Sequence, residues 1–137
     1  MVIFIVGLII LATVVILNTR KKNTAQKEII VEYYNEDLEF LKYINTHRKA
    51  LNLKTLKPIM SLDVRAKETV QKLPPVDRHY NSLEIVGGGH QTLYALFKHY
   101  LKSEGHKDNI EYENYTYLGI GIKKADGKYY NCTIFSE

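Results

Sequence analysis

A histidine follows directly after a predicted helix end in the last third of the sequence. Residues 101–110 read LKSEGHKDNI, and Gly105 is of the residue type that commonly ends a helix, so His106 is the first side chain beyond that end. An imidazole in this position projects from backbone that the helix end holds in place, and it can be directed into a cleft. In the alternative interpretation, His106 and Asn109 bond backbone carbonyls and stabilise the loop.

Other residues that could react lack the neighbours that activation requires. Cys132 is the single cysteine, so the fold cannot depend on an intrachain disulfide, and its surroundings are typical of a small buried residue in a strand. Ser82 and Ser103 have no sequence context that indicates a nucleophile beside a base. The sequence therefore favours a protein that is not an enzyme. The remaining histidines, expected on the surface or on helix faces, are His47, His90 and His99.

The composition argues against a nucleic-acid-binding protein. The chain has 137 residues, with 19 basic and 15 acidic side chains and a formal net charge of +4. These charges are interspersed, and beyond residue 22 no stripe of Lys and Arg with interleaved aromatic residues appears. Tyrosine is common, with 11 copies, and can build a core whose hydroxyl groups reach a polar cleft.

The N-terminal segment has the composition of a membrane anchor. Residues 1–17 contain no charged side chain, and the first one along the chain is Arg20. As a helix this run spans about 25 Å, close to the thickness of the bilayer core. The segment lacks a basic start and a small-residue cleavage site, which favours an uncleaved anchor over a signal peptide. We predict a single-pass transmembrane helix over residues 1–19, a linker over 20–35 and one domain over 36–137.

The charges that flank this segment predict its orientation. Arg20, Lys21 and Lys22 follow the apolar run, and no basic side chain precedes it, so the C-terminal domain is expected on the cytoplasmic side of the membrane. The missing disulfides agree with this side. Two glycosylation sequons, at Asn114 and Asn131, point instead to a lumenal, extracellular or virion location, but such tripeptides often arise by chance.

Three helices are expected in the domain, because apolar side chains recur there every three to four residues. An Asn-Glu-Asp start, a Pro-Pro pair and a glycine give plausible helix ends. The predicted helices cover about residues 35–51, 61–73 and 91–104, and residues 76–90 are predicted to form a loop.

A hairpin is predicted after the helices. Large aliphatic side chains alternate with other residues over 117–122, Asp126-Gly127 is a strong turn signal, and residues 128–136 form the returning strand. A third strand near residues 83–86 would complete an antiparallel sheet with helices packed on it, which is an α+β fold.

Two glycines interrupt the first of these strands on one face. Glycine weakens a strand, so Gly119 and Gly121 indicate that another part of the chain packs close to the strand backbone.

Three stretches together resemble the motifs of one known family. Residues 43–48, YINTHR, contain the pattern N-x-x-R and are followed by a leucine-bearing connector and by L-x-x-x-A. Residues 103–110, SEGHKDNI, resemble S-x-G-H-x-x-N-I, and residues 117–122, YLGIGI, resemble an aromatic-x-G-x-G-x strand. Over about residues 36–136 the chain resembles the CAP superfamily, or SCP domain, which contains cysteine-rich secretory proteins, antigen 5 and pathogenesis-related 1 proteins.

The resemblance implies a three-layer α-β-α sandwich with a central cleft. In the family, the histidine of S-x-G-H faces a second histidine and a glutamate across the cleft, and these places fall here on His106, His79 and Glu84. Two imidazoles and a carboxylate can hold Zn²⁺ and leave a position open for water. This chain departs from the family pattern at Leu83 and Ile85, which replace a glycine and an asparagine around the glutamate, and its loop from His79 to Glu84 is shorter.

Three functions are consistent with these observations. The first is a membrane-anchored CAP-like module that binds a protein partner or a lipid without turnover. The second is a metal-dependent hydrolase that uses Zn²⁺ held by His79, Glu84 and His106. The third is a purely structural subunit of a membrane or viral assembly. We favour a non-catalytic binding or structural module with no cofactor, and keep the hydrolase as the alternative.

Overall fold

The computed structural model describes residues 35–73 and 83–137. The predicted anchor over residues 1–19, nearly all of the predicted linker, and His79 lie outside the described residues. Residues Asn35–Glu137 form one compact unit. Its elements are α1 (residues 35–50), β1 (Lys57–Pro58), α2 (Met60–Gln71), β2 (Glu84–His90), α3 (Leu93–Lys102), α4 (Glu104–Glu111), β3 (Tyr117–Ala125) and β4 (Lys128–Ser136).

The four strands form one mixed sheet in the order β1-β3-β4-β2. The predicted hairpin and third strand are confirmed: β3 and β2 both pair antiparallel with β4. β2 is longer than predicted, because it includes the three glycines that were assigned to a loop. The turn between β3 and β4 has positive φ at Asp126 (51°) and Gly127 (70°), as an Asp-Gly hairpin turn requires.

The prediction of a purely antiparallel sheet is wrong, because β1 pairs parallel with β3. Lys57 N and Ile59 N donate to the carbonyls of Thr116 and Leu118, both at 3.0 Å. Pro58, which has no N–H, lies between these two donors on the edge of the sheet, where a proline costs no ladder hydrogen bond. The connector after α1 therefore adds an edge strand. This strand was not predicted, because a proline in the sequence argues against a strand.

Helices cover both faces of the sheet. α2 packs on one face, where its buried side chains contact Val86, Cys132 and Ile134. The other face carries the larger core, in which Phe40 of α1 and Leu96 of α3 pack with side chains from the strands. The described residues therefore form an α+β fold with four helices and a mixed four-stranded sheet. Among the described residues, no helix combines the length and the apolar character that crossing a bilayer requires.

The two glycines of β3 lie directly under α2, so the prediction that another part of the chain packs close to this strand backbone is confirmed. A Cβ atom on Gly119 would lie 2.0 Å from the carbonyl carbon of Leu62, and one on Gly121 would lie 2.3 Å from the carbonyl oxygen of Ala66. Helix backbone therefore contacts strand backbone here, and a side chain at either position would force the two elements apart.

The helix that was predicted to end at Gly105 ends earlier. α3 stops at Lys102, and Ser103 adopts extended angles (φ −102°, ψ 116°) before α4 begins at Glu104. Gly105 is thus a helical residue inside α4, and a fourth helix follows where a loop was expected. The extended backbone of Ser103 produces the break, and this places His106 in the first turn of α4.

Candidate functional site

His106 is buried, and both of its ring nitrogens have hydrogen-bond partners. Its side chain is 5% exposed; Nδ1 lies 2.7 Å from Ser103 Oγ and Nε2 lies 3.1 Å from the carbonyl oxygen of Val86. A carbonyl accepts only, so Nε2 carries the proton, and in the neutral imidazole Nδ1 accepts from the Ser103 hydroxyl. This geometry fixes the imidazole between the α3–α4 break and the edge strand β2.

An aromatic ring holds the imidazole from one side. The rings of Tyr100 and His106 are stacked, with centroids 4.7 Å apart and an interplanar angle of 17°. The Tyr100 hydroxyl donates to Asn131, whose Oδ1 is 3.1 Å away. Gly87 makes room for the tyrosine, because a Cβ atom there would lie 2.6 Å from Tyr100 Cε1. The stack therefore depends on the glycine run of β2.

Ser103 and His106 form a hydroxyl–imidazole pair that sequence reasoning missed. Ser103 and His106 are three residues apart, and this spacing brings their side chains together only if Ser103 begins a helix. That helix was not predicted. Ser103 is the N-cap residue of α4, and its side chain bonds the imidazole instead of a backbone N–H. In catalytic pairs the base is commonly oriented by a third group such as a carboxylate, which stabilises the imidazolium, whereas the Val86 carbonyl is neutral. The pair is thus well suited to joining α3, α4 and β2.

Glu84 lies at the start of β2 and is half-buried. It alternates with Ile85 and shares a strand face with Val86, which packs under α2 beside Cys132. The ring of His106 instead stacks on Tyr100, which belongs to the core on the opposite face. Among the described residues, no group of three or more His, Cys, Asp or Glu side chains is placed to hold a metal ion. A shared site that also includes His79 stays a prediction.

Cys132 is a buried side chain of β4, as the sequence predicts. Burial is the main cause that raises the pKa of its thiol to about 12, and the charge of Glu84 adds to the effect. A thiol with so high a pKa carries almost no thiolate at neutral pH, so it is a poor nucleophile and a poor metal ligand.

The N-x-x-R residues act as cross-links within the fold. The side chain of Asn45 donates to the carbonyl of Leu56 (3.0 Å) and accepts from its N–H (2.8 Å). Arg48 is fully buried and donates to the carbonyls of Lys54, Ile110 and Tyr112 at 2.8–2.9 Å. These bonds tie α1 to the connector and to the end of α4.

Asn109, the asparagine of the S-x-G-H-x-x-N-I stretch, is also a structural residue. Its side-chain nitrogen donates to the carbonyl of Gly105 at 2.9 Å, and its oxygen accepts from the Tyr115 hydroxyl at 3.2 Å. The first bond lies within α4, and the second holds the end of α4 against the segment that enters β3.

An open pocket of about 320 Å³ lies beside the end of α4. The rings of Tyr112 and Tyr115 meet edge to face, with centroids 4.7 Å apart and an interplanar angle of 61°. Burial is the main cause that raises the pKa of the Tyr115 hydroxyl, and the neighbouring Tyr112 and Glu137 contribute. We call this the tyrosine pocket; it is lined by Leu83, Asp108, Asn109, Tyr112, Tyr115 and Glu137.

Sequence reasoning missed the tyrosine pocket. The available signal was the clustering of two tyrosines and several acids in residues 108–115, DNIEYENY. That clustering points to a pocket only once α4 and the end of β4 are known to be neighbours.

Solved structures with a similar fold come from several organisms. An outer surface protein from Borrelia burgdorferi matches with a TM-score of 0.62 and 23% identity, over 73% of this chain and 91% of that one. A venom allergen-like protein 4 from Schistosoma mansoni matches with a TM-score of 0.57 and 14% identity, over 74% and 87%. A hookworm platelet inhibitor matches with a TM-score of 0.56 and 13% identity, over 72% and 66%.

Sequence comparison gives the family. No curated protein gives a significant match. The family model described as CAP, the cysteine-rich secretory protein family, matches residues 41–136, which is more than half of the 137 residues. This range contains the N-x-x-R side chains, the Ser103–His106 pair and the β3–β4 hairpin. The chain therefore belongs to the CAP family.

Proposed function

We propose that this chain is a membrane-anchored CAP domain that acts as a non-catalytic binding module, with the tyrosine pocket as its ligand site. The uncharged run of residues 1–17, followed by basic side chains from Arg20, supports the anchor. The same charges favour a domain on the cytoplasmic side. The fold supplies a rigid frame for the pocket, because buried hydrogen bonds hold α4.

The observation that carries the proposal is the chemistry of the pocket lining. Tyr112 is 42% exposed and presents its ring to solvent beside the nearly buried Tyr115. The exposed Asp108 and Glu137 add two carboxylates. Aromatic faces and carboxylates together attract a positive charge that carries apolar groups, such as a quaternary ammonium. The proposed ligand is therefore an organic cation, either free or as the headgroup of a lipid.

The absence of turnover is supported by the state of the groups that could react. Both nitrogens of His106 are engaged, and the pKa of the Cys132 thiol is too high for a nucleophile. The alternative, a Zn²⁺-dependent hydrolase, needs His79 and Glu84 beside His106. A metal there would also have to replace the Ser103 or the Val86 contact of the imidazole.

Calorimetric titration of the full chain in a maltoside detergent tests the proposal. Choline is expected to bind, whereas its neutral isostere 3,3-dimethyl-1-butanol is expected to bind at least tenfold more weakly. Tyr112→Ala and Asp108→Asn are expected to abolish choline binding. Tyr94→Ala is the matched control, because Tyr94 is an exposed tyrosine (54%) on α3.

Two further arms separate the alternatives. Flotation of the chain that lacks residues 1–19 with phosphatidylcholine or phosphatidylglycerol vesicles, with and without Tyr112→Ala, distinguishes a lipid headgroup from a free cation. If choline and the isostere bind equally or not at all, the pocket is not a cation site, and the result favours the hypothesis of a purely structural subunit. If Zn²⁺-dependent ester hydrolysis is found and His106→Gln abolishes it, the hydrolase replaces the binding module.

A further inference from the structure

We propose that His90 and His99 form a binding site for a first-row divalent transition metal at the end of β2. His90 is the last residue of that strand, and His99 lies in the last turn of α3. Their ring centroids are 4.8 Å apart, with an interplanar angle of 42°. The proposal is independent of the tyrosine pocket and of the predicted cleft around His106.

The distance between the two ring centroids is compatible with a shared metal ion. Imidazole nitrogens lie about 2.0–2.1 Å from a bound Zn²⁺, which places each ring centroid roughly 3.2 Å from the ion. Two imidazoles at right-angle or tetrahedral positions then have centroids about 4.5–5.2 Å apart. The observed 4.8 Å falls within this range.

Both histidines are held by regular secondary structure. β2 pairs with β4 through a ladder in which His90 lies opposite Tyr129, after an irregularity that follows Gly88. α3 is capped at its start, where the Thr92 hydroxyl accepts from the N–H of Ala95. Side chains on such elements keep their spacing better than side chains on loops, which favours a metal site.

The exposure of the two rings also suits an ion. His99 is exposed and His90 is half-buried, so an ion and its remaining water ligands can reach them. An imidazole can coordinate through one nitrogen while the other donates a hydrogen bond, and such a bond orients the ring and raises its basicity. Coordination therefore does not require either ring to give up all of its other contacts.

The ligand set selects the class of ion. Imidazole nitrogens suit Cu²⁺, Ni²⁺ and Zn²⁺, with Cu²⁺ bound most tightly, whereas Mg²⁺ and Ca²⁺ prefer oxygen ligands. Two protein ligands leave the other positions to water or to a group from a partner. We therefore expect moderate affinity and a strong preference for Cu²⁺ and Ni²⁺ over Mg²⁺.

Isothermal titration calorimetry tests the site. NiSO₄ is titrated into the tag-free, EDTA-treated full chain in maltoside detergent. The parent is expected to bind one equivalent, and His90→Gln and His99→Gln are each expected to weaken that binding at least tenfold. His47→Gln is the matched control, because it removes an imidazole that is paired with Glu111 on another part of the domain. Circular dichroism without metal checks that each variant is folded.

The other outcomes overturn the proposal in distinguishable ways. Equal binding by the parent and His99→Gln would show that the two rings are only a packing pair. Loss of binding in His106→Gln but not in His99→Gln would assign the metal to the predicted cleft instead. If His90→Gln does not fold, His99→Gln alone decides, because its exposed ring lies on the outside of α3.

Discussion

Arg48 is fully buried, and the hydrogen bonds described for its guanidinium go to backbone carbonyls. Burial lowers the pKa of Arg48 from its ordinary value. Nη2 is buried and, among the described residues, has no hydrogen-bond partner. The planar guanidinium donates to these three carbonyls from two nitrogens, Nε and Nη1, in a fixed geometry that the single nitrogen of a lysine cannot reproduce.

We expect Arg48→Lys to lower the free energy of unfolding by about 2–4 kcal/mol, because at least one buried carbonyl loses its donor. Urea unfolding followed by circular dichroism measures this. Arg65→Lys, at an exposed position of α2, is the matched control and should change stability by less than about 0.5 kcal/mol. A change at Arg48 as small as at Arg65 would mean that the carbonyls of Lys54, Ile110 and Tyr112 find other donors.

Asp37 gives the domain a pH dependence of defined sign. Burial is the main cause that raises its pKa from 3.8 to about 6, and the ion pair with Lys67 (3.1 Å) only partly offsets it. Because the folded pKa lies above the unfolded one, the folded state binds the proton more tightly, and stability increases as the pH falls through 6. Between pH 7.5 and pH 5 this group should add about 1–1.5 kcal/mol.

Asp37→Asn should remove that increment. Unfolding curves of the parent and the variant at pH 5 and pH 7.5 give the difference, and Asp126→Asn, at the exposed hairpin turn, serves as the control. A parent and an Asp37→Asn variant with the same pH dependence would contradict the raised pKa.

At individual residues the sequence supported some roles and missed others. His106 and Asn109 contact the backbone carbonyls of Val86 and Gly105, as the alternative interpretation expected, but they do so from α4 and not from a loop. The Ser103 pair was missed because it depends on a helix break that a glycine two residues later obscures. The tyrosine pocket was missed because it joins residues from α4 and from the end of β4, which are distant in sequence.

At the scale of elements, the closest packing in the fold is between α2 and β3. Gly119→Val is expected to be among the most damaging single changes, because its Cβ would lie 2.0 Å from helix backbone that cannot rotate away. Overpacking of this kind costs about 1–3 kcal/mol, and backbone contact favours the upper end.

The melting temperature measured by circular dichroism tests this expectation. Gly105→Ala is the matched control, since a Cβ there meets no atom within 4 Å and alanine favours a helix. A Gly119→Val variant that melts with the parent would show that α2 moves away at little cost.

Some helices and strands could be predicted from the local sequence pattern, and others could not. α2 was predictable because its apolar residues recur every three to four positions. The β3–β4 hairpin was predictable because apolar alternation is followed by an Asp-Gly turn. β2 was not predictable in full, because Gly87 and Gly88 have no strand propensity of their own. They are strand residues because they pair with β4, and they are glycines because Tyr100 and Tyr130 occupy the space that side chains would fill. β1 has two residues and is defined by its partner alone.

At the scale of the whole molecule, the proposed function includes a membrane anchor, and the segment predicted to form it, residues 1–19, lies outside the described residues. We expect the full chain to remain in the membrane pellet after extraction with alkaline carbonate, because residues 1–17 carry no charge. A chain that lacks residues 1–19 is the control and should appear in the supernatant. Release of the intact full chain would remove the membrane from the proposed function.

The central claim is that the tyrosine pocket, and not the surroundings of His106, receives the ligand. Two-dimensional ¹H–¹⁵N NMR of the full chain in maltoside detergent, with increasing choline, tests it most directly. We predict saturable shifts of the backbone amides of Asp108, Asn109, Tyr112 and Glu137, while those of Ser103 and Val86 stay in place. Shifts confined to Ser103 and Val86, or an unchanged spectrum, would contradict the account.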